Sequence, residues 1–277
     1  MSILITGTGS GLGRSTLDYC TERGDHVFAC VEKENELEKL KDLKNVTPIK
    51  LDVTVQGDID AAVKFIKESG KQLDGLVNNA GIALGGPIAE LPDEFMERTL
   101  NVNVMGPFRM TKAFFPLLLP TKGRIVNISS VSGFRAFPYV SPYTMSKHAI
   151  EAFSDSLRRE LDPLGMKVVI IEPGDVKTPI WQKGLEMLDQ RLSTITPLFR
   201  DRANALLRAS FIDAATNGLE PVTIAKAVYK ALHVAKPKIR YYIDRSILRK
   251  FLFKRLTNGQ WDAVIRMLAK GAMKKKN

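Results

Sequence analysis

The first thirteen residues constrain the fold more than any other stretch of the chain. The apolar run Ile3-Leu4-Ile5 leads directly into Thr6-Gly7-Thr8-Gly9-Ser10-Gly11-Leu12-Gly13, and a helical pattern follows through Leu17 and Cys20. This order reads as strand, glycine turn, helix. Such a turn lets the backbone approach a pyrophosphate without side-chain clash, and the helix start behind it offers free N–H donors and a positive dipole end. The spacing Gly-x-x-x-Gly-x-Gly across Gly7, Gly11 and Gly13 departs from the Gly-x-Gly-x-x-Gly dinucleotide fingerprint. Glycines also serve plain turns that need positive φ, so position between a strand and a helix is what makes this cluster a candidate phosphate site.

The rest of the chain repeats the alternation. Aliphatic or β-branched runs bounded by Gly, Asp or Asn predict strands near 2–6, 26–31, 46–50, 73–77, 123–128, 166–171 and 239–243, with helical patterns between them. Alternating strands and helices imply right-handed crossovers, a central parallel seven-stranded sheet covered on both faces and a doubly wound α/β fold, with ligands at the carboxyl edge of the strands. At 277 residues the chain reads as one domain with a large core.

Tyr143 and Lys147 lie four residues apart, thirteen residues and more beyond Ser130 at the end of a buried-strand pattern. Residues at i and i+4 share a helical face, so the ammonium and the phenol address the same small volume. A phenol with a pKa of about 10 is a poor base at neutral pH, and bringing it to roughly 7 takes about 4 kcal/mol of preferential phenolate stabilisation. A cation within about 4–6 Å shifts a pKa by about 1–3 units, so Lys147 and a second positive charge would suffice. Tyr-x-x-x-Lys also arises by chance on helix surfaces, and its context decides its meaning.

Together these segments resemble the short-chain dehydrogenase/reductase family over nearly the whole chain, which implies a Rossmann fold. Thr6 to Gly13 resembles the family's cofactor-binding turn. Asn78-Asn79-Ala80-Gly81 resembles the segment that ends its fourth strand, and Asn103-Val104-Met105-Gly106 the stretch that carries its structural-catalytic Asn. Pro173-Gly174-Asp175-Val176-Lys177-Thr178 resembles the segment that closes over the nicotinamide carboxamide. The resemblance implies a catalytic tetrad of Asn103, Ser130, Tyr143 and Lys147; Ser129 could also be aligned, and the spacing to Tyr143 favours Ser130. It implies cofactor contacts from Gly7, Thr8, Ser10, Gly11, Leu12 and Gly13, from Glu32, Asp52 and Val53, from Asn79, Ala80 and Gly81, from Tyr143 and Lys147, and from Pro173, Gly174, Val176 and Thr178.

The implied mechanism has Tyr143 exchange a proton with the oxygen of a secondary alcohol or ketone, Ser130 hydrogen-bond that oxygen, Lys147 lower the phenol pKa and bond the nicotinamide ribose, and Asn103 hold a water. A plainer reading of Asn103 is an amide bonding helix backbone. His148 points about 100° away from Lys147 on a helix and is left out. For the cofactor, an acid near the end of the second strand selects NAD. Glu32, following Val31, would repel a 2′-phosphate, so NAD is favoured over NADP, with Arg14 and Lys33 as opposing features. Asp52 resembles the family's adenine-contacting acid.

The net charge of +11 is concentrated at one end. From Arg245 onward ten basic residues face the single acid Asp262, so no basic groove spreads over the fold and nucleic acid is not expected as a partner. Ile247, Leu248, Phe251 and Leu252, then Trp261, Val264, Ile265 and Leu268, recur at helical spacing between the charges. Core packing or an interfacial amphipathic helix would each produce that stripe, so weak peripheral membrane contact is expected at most, with Lys274-Lys275-Lys276 solvated.

Residues 179–220 form an apolar insertion that suits a lid over a lipophilic substrate, and 245–277 a basic extension. Arg240-Tyr241 loosely resembles hydroxysteroid- and retinol-type members. The expected activity is an NAD(P)-dependent oxidoreductase interconverting a secondary alcohol with a ketone or aldehyde on a lipophilic substrate such as a steroid or retinoid. The alternative is a cofactor-binding regulatory or membrane-associated protein without turnover. A homodimer or homotetramer is implied by the resemblance. Cys20 and Cys30 read as packed thiols rather than a metal site, and with no leader ahead of the first strand a cytoplasmic location is expected.

Overall fold

The computed structural model describes the chain except residues 247, 250–252, 254 and 275–277. Seven parallel strands form one sheet in the order β3-β2-β1-β4-β5-β6-β7. They are β1 (Ser2–Thr6), β2 (His26–Val31), β3 (Val46–Lys50), β4 (Gly75–Asn78), β5 (Arg124–Ile128), β6 (Lys167–Pro173) and β7 (Arg240–Ile243). Parallel strands are covered on both faces and so carry unbroken apolar runs; Ile3, Leu4 and Ile5 have no exposed surface.

Successive side chains alternate between faces, which divides the core in two. Ile3, Ile5, Val27, Val126 and Val169 pack with Leu17, Ile224 and Val228, beneath α1 (Gly11–Thr21) and α9 (Pro221–His233). Leu4, Phe28, Leu76, Ile125 and Val168 pack with Ile59, Met110, Phe114 and Leu161, beneath α3 (Gln56–Glu68), α5 (Gly106–Leu118) and α6 (Ser141–Leu161). Two shorter helices, α2 (Glu34–Glu38) and α4 (Asp93–Leu100), complete these layers. The strand order reverses between β1 and β4, which opens a crevice at the carboxyl ends where α/β sheets bind their ligands.

The insertion is helical, comprising α7 (Pro179–Arg191) and α8 (Pro197–Asn217), with Leu188, Leu207 and Phe211 buried between them and Trp181 packed alongside. The C-terminal segment ends in α10 (Asn258–Lys274), which packs against α8. Phe253 and Trp261 are buried with Val131 against Phe134 and Phe137. Trp261 Nε1 donates to Ala136 O at 3.0 Å, and Arg135 donates to the carbonyls of Phe253 and Leu256. Of the apolar stripe of the tail, Trp261 is therefore buried and Val264 and Ile265 are half-buried, whereas Leu248 and Leu268 are exposed. Ile247, Phe251, Leu252, Lys275 and Lys276 lie outside the described residues. Among the described residues, no helix is long and apolar enough to cross a membrane.

Candidate active site

The glycine turn is held from three sides. Thr8 bonds Cys30 O through both its N–H and its hydroxyl, each at 3.0 Å, which ties the turn to β2. Asn79 Nδ2 donates to Thr6 O at 2.8 Å and Gly7 O at 3.2 Å, while the N–H groups of Asn79 and Ala80 both donate to Thr6 Oγ1 at 3.0 Å. Thr6, the first residue of the turn segment, thus joins the ends of β1 and β4. Gly7 and Gly11 have φ of 71° and 58°. Gly13 has a different constraint, since a Cβ there would stand 2.1 Å from Gly7 O.

Ser10 caps α1 without a side-chain hydrogen bond, and no acid occupies the first turn. The first N–H groups of a helix have no intrahelical acceptor, so this cradle of bare backbone fits a pyrophosphate. Glu32, just past β2, is exposed. Glu36 adds a second carboxylate, since a Cβ on Gly9 would lie 2.5 Å from its Oε2. Arg14 pairs with Asp18 at 2.9 Å on the helix surface, a contact too weak to hold it from a phosphate. The Asp52 carboxylate accepts from Thr54 N–H and hydroxyl at 2.8 and 2.7 Å, and the Val53 side chain is buried against Gly106.

Ser130, Tyr143 and Lys147 converge at the end of β5. A buried chain from Asn78 Nδ2 to Asn127 Oδ1, and from Asn127 Nδ2 to Ser154 Oγ, each bond 2.8 Å, ties β4, β5 and α6 together. Ser130 Oγ accepts from Ser132 N–H at 3.1 Å and hydrogen-bonds the Tyr143 phenol, whereas Ser129 Oγ is turned toward Gly133. Of the two serines, Ser130 is the one at the tyrosine. Lys147 is buried, donates to Ile128 O at 2.8 Å and stands 5.5 Å from the Tyr143 ring centroid. Burial pulls its pKa down to about 8, against the attraction of Glu151. Tyr143 is half-buried, and desolvation of its phenol raises its pKa; the Ser130 hydrogen bond opposes this and the Asp175 carboxylate adds to it.

Asn103 lies at the junction of α4 and α5, in a widened helical turn over Asn101–Met105. Both its amide N–H groups are committed, to Ile82 O and Ser146 Oγ at 2.9 Å, and its Oδ1 accepts from Ile82 N–H at 2.9 Å. Ser146 Oγ in turn donates to Tyr143 O at 2.7 Å. Ser146 was not singled out in the sequence; its place three residues after Tyr143 is the only local signal. His148 is exposed and bonds Thr144 O at 2.9 Å.

Past β6, Gly174 to Thr178 crosses the glycine turn, with Thr178 in contact range of Gly11. Trp181 Nε1 donates to Val176 O at 2.6 Å, latching α7 to this segment, and Arg249 bonds Asp175 at 2.9 Å from the C-terminal side. A cavity of about 770 Å³ runs from Leu12, Asn79 and Gly81 past Ser130, Tyr143, Lys147, Pro173, Gly174, Val176 and Thr178 to the apolar walls of α8 and α10. The site thus joins a phosphate cradle, a hydroxyl pair beside a lysine, and an apolar chamber.

Residues 1–189 match a family model described as short chain dehydrogenase. The chain is 34% identical over 248 residues to the 3-amino-tetrahydro-pyrrolizinone reductase of Xenorhabdus hominickii, covering 87% of this chain and 86% of that protein. It is 34% identical to the NADPH-dependent 3-dehydrocapnine reductase of Ornithobacterium rhinotracheale over 91% and 89% of the two chains. A crystal structure of a short-chain dehydrogenase from Streptomyces avermitilis superposes with a TM-score of 0.77 at 26% identity, over 97% of this chain and 94% of that one.

Proposed function

The chain belongs to the short-chain dehydrogenase family, NAD(P)-dependent oxidoreductases of the alcohol–carbonyl pair, and from that premise we propose that it reduces lipophilic ketones through Asn103, Ser130, Tyr143 and Lys147. The observation that carries this reading is the Ser130–Tyr143 pair opening, beside buried Lys147, into a cavity walled by α8 and α10. Gly7 to Gly13 would hold the pyrophosphate, and Gly174 to Thr178 the nicotinamide end. When bound, the cofactor supplies or accepts the hydride.

Tyr143 gives its phenol proton to the ketone oxygen, or takes it from the alcohol in reverse. Ser130 accepts from Ser132 N–H and directs its own O–H toward the Tyr143 phenol; with a ketone bound between them, that O–H would turn to the charge developing on the substrate oxygen. Lys147 provides the cation beside the phenol. Asn103 acts through Ser146 on the backbone of Tyr143, a positioning role. The apolar chamber supports a lipophilic substrate, and the name of reductase that both relatives carry supports the reductive direction. Steroids, retinoids and long-chain ketones belong in one screen with NADH and NADPH, followed by nicotinamide absorbance. Failure of every ketone and alcohol would overturn the reading.

The phenol's raised pKa favours the reductive direction, because the acid form persists across neutral pH. For ketone reduction, kcat/KM should hold level through neutral pH and fall as the phenol deprotonates. Alcohol oxidation needs phenolate and should rise with pH, then bend as the Lys147 ammonium is lost through about 8. A reductive rate that climbs with pH would contradict Tyr143 as the acid.

NAD remains the favoured cofactor on the strength of Glu32 and Glu36 beside the turn. Glu32→Arg should raise NADP affinity relative to NAD, and the double change with Glu36→Gln should raise it further, by replacing repulsion with a phosphate-binding cation. Titrating both cofactors into each protein measures this; wild-type protein that binds NADP more tightly would refute the preference.

Met105 in the turn before α5, Phe108 on α5 and Met145 on α6 are exposed, which supports the expected homo-oligomer. Sedimentation as a monomer at working concentrations would exclude it. Buried, unpaired Cys20 and Cys30 suit a cytoplasmic setting, which fractionation of the native cell would test.

A further inference from the structure

The helix that closes one side of the substrate cavity also carries an outward face of a different character. Trp261 and Ala269 on α10 are buried, and Val264 and Ile265 are half-buried. Met267 and Leu268 both line the cavity and are 65% and 51% exposed, so they stand at its mouth. Arg266 and Lys270, one helical turn apart, are exposed, and neither makes an ion pair among the described residues. Met273, 45% exposed, flanks them on the same outward arc. Asp262 is the only acid from Arg245 to the end of the chain.

Unpaired cations flanked by exposed thioethers, beside the open end of an apolar chamber, suit a surface that is both anionic and apolar underneath. We propose that α10 seats the protein on an anionic lipid bilayer through Arg266, Lys270, Met267 and Met273, which brings the Met267 edge of the cavity mouth to the lipid, so that a membrane-dissolved ketone enters without crossing water. The lipophilic nature of the substrate rests on the function proposed above; the docking surface does not. Arg266 and Lys270 supply electrostatic attraction of about 1 kcal/mol each near such a surface, and Met267 with Met273 adds shallow burial. The contact is peripheral.

Co-sedimentation of the full chain with vesicles tests the surface without any substrate. Partition onto vesicles of equal parts phosphatidylcholine and phosphatidylglycerol should far exceed that onto phosphatidylcholine alone, and should fall steeply as salt rises. R266Q/K270Q, whose side chains lie outside the cavity, should lose roughly thirtyfold in partition, by the same figure per basic residue, with unchanged thermal unfolding. Met267→Ser should weaken partition at low salt and leave its salt dependence unaltered. Wild-type protein that stays in the supernatant with anionic vesicles, sediments equally with neutral ones, or matches R266Q/K270Q would overturn the proposal. Since no outcome depends on turnover, failure here leaves the reductase reading standing.

Discussion

Tyr143→Phe is expected to lower turnover by about 10²–10⁴-fold, the range typical of a removed proton donor, while leaving NAD(P) affinity largely intact. The ring, its packing and its distance from Lys147 all survive the change; only the hydroxyl is lost. The Ser130–Tyr143 hydrogen bond goes with it, a loss of about 1 kcal/mol, which a domain of ordinary stability tolerates. Ser130→Ala should cost less, about 10²–10³-fold, as removal of one donor to a developing oxyanion. Cofactor titration and single-turnover reduction separate the two effects. Near-normal single-turnover rates in Tyr143→Phe would show that another group moves the proton.

Much of this arrangement is legible in the sequence, for identifiable reasons. Both faces of the parallel sheet are covered, so runs such as Ile3-Leu4-Ile5 stand out against turn residues, and the seven strands fall where those runs do. β5, β6 and β7 each start one residue later than expected and β6 runs on to Pro173, while the largest offset at a strand start is in β4, which begins at Gly75 rather than at residue 73. Its register against β1 begins at Ile3↔Gly75, and Leu73 is instead buried in the core below it. Tyr143 and Lys147 were legible because i and i+4 on a helix is a local relation.

Contacts made between distant segments were not legible. Ser146 meets Asn103 across 43 residues and Arg249 meets Asp175 across 74, and neither pair leaves a pattern in its own neighbourhood. Glu36 reaches Gly9 only because the backbone turns after β2. The C-terminal stripe was ambiguous for a physical reason. Burial of Trp261 and exposure of Leu268 on one helix satisfy a core pattern and an interfacial pattern together, and periodicity alone does not separate them.

Gly13→Ala should abolish measurable NAD(P) binding, and the reason is space rather than backbone freedom. Gly7 and Gly11 adopt positive φ, whereas Gly13 does not, so alanine there meets no conformational penalty. Its Cβ would stand 2.1 Å from Gly7 O and 2.5 Å from Asn79 Nδ2. The nearest obstacle is a backbone carbonyl, which cannot rotate aside as a side chain would. The start of α1 must move away from the turn, and the first N–H groups of the helix leave the position from which they bind phosphate. Overpacking of this kind costs about 1–3 kcal/mol, so the fold should persist, with a lowered Tm by circular dichroism. Gly24→Ala is the control: its φ of 87° makes alanine strained, yet nothing lies within 4 Å of the added Cβ, and cofactor affinity should stay at the wild-type value. Fluorescence titration of both variants decides the matter. Wild-type affinity in a folded Gly13→Ala protein would mean that the Gly7–Gly13 contact does not shape the phosphate cradle.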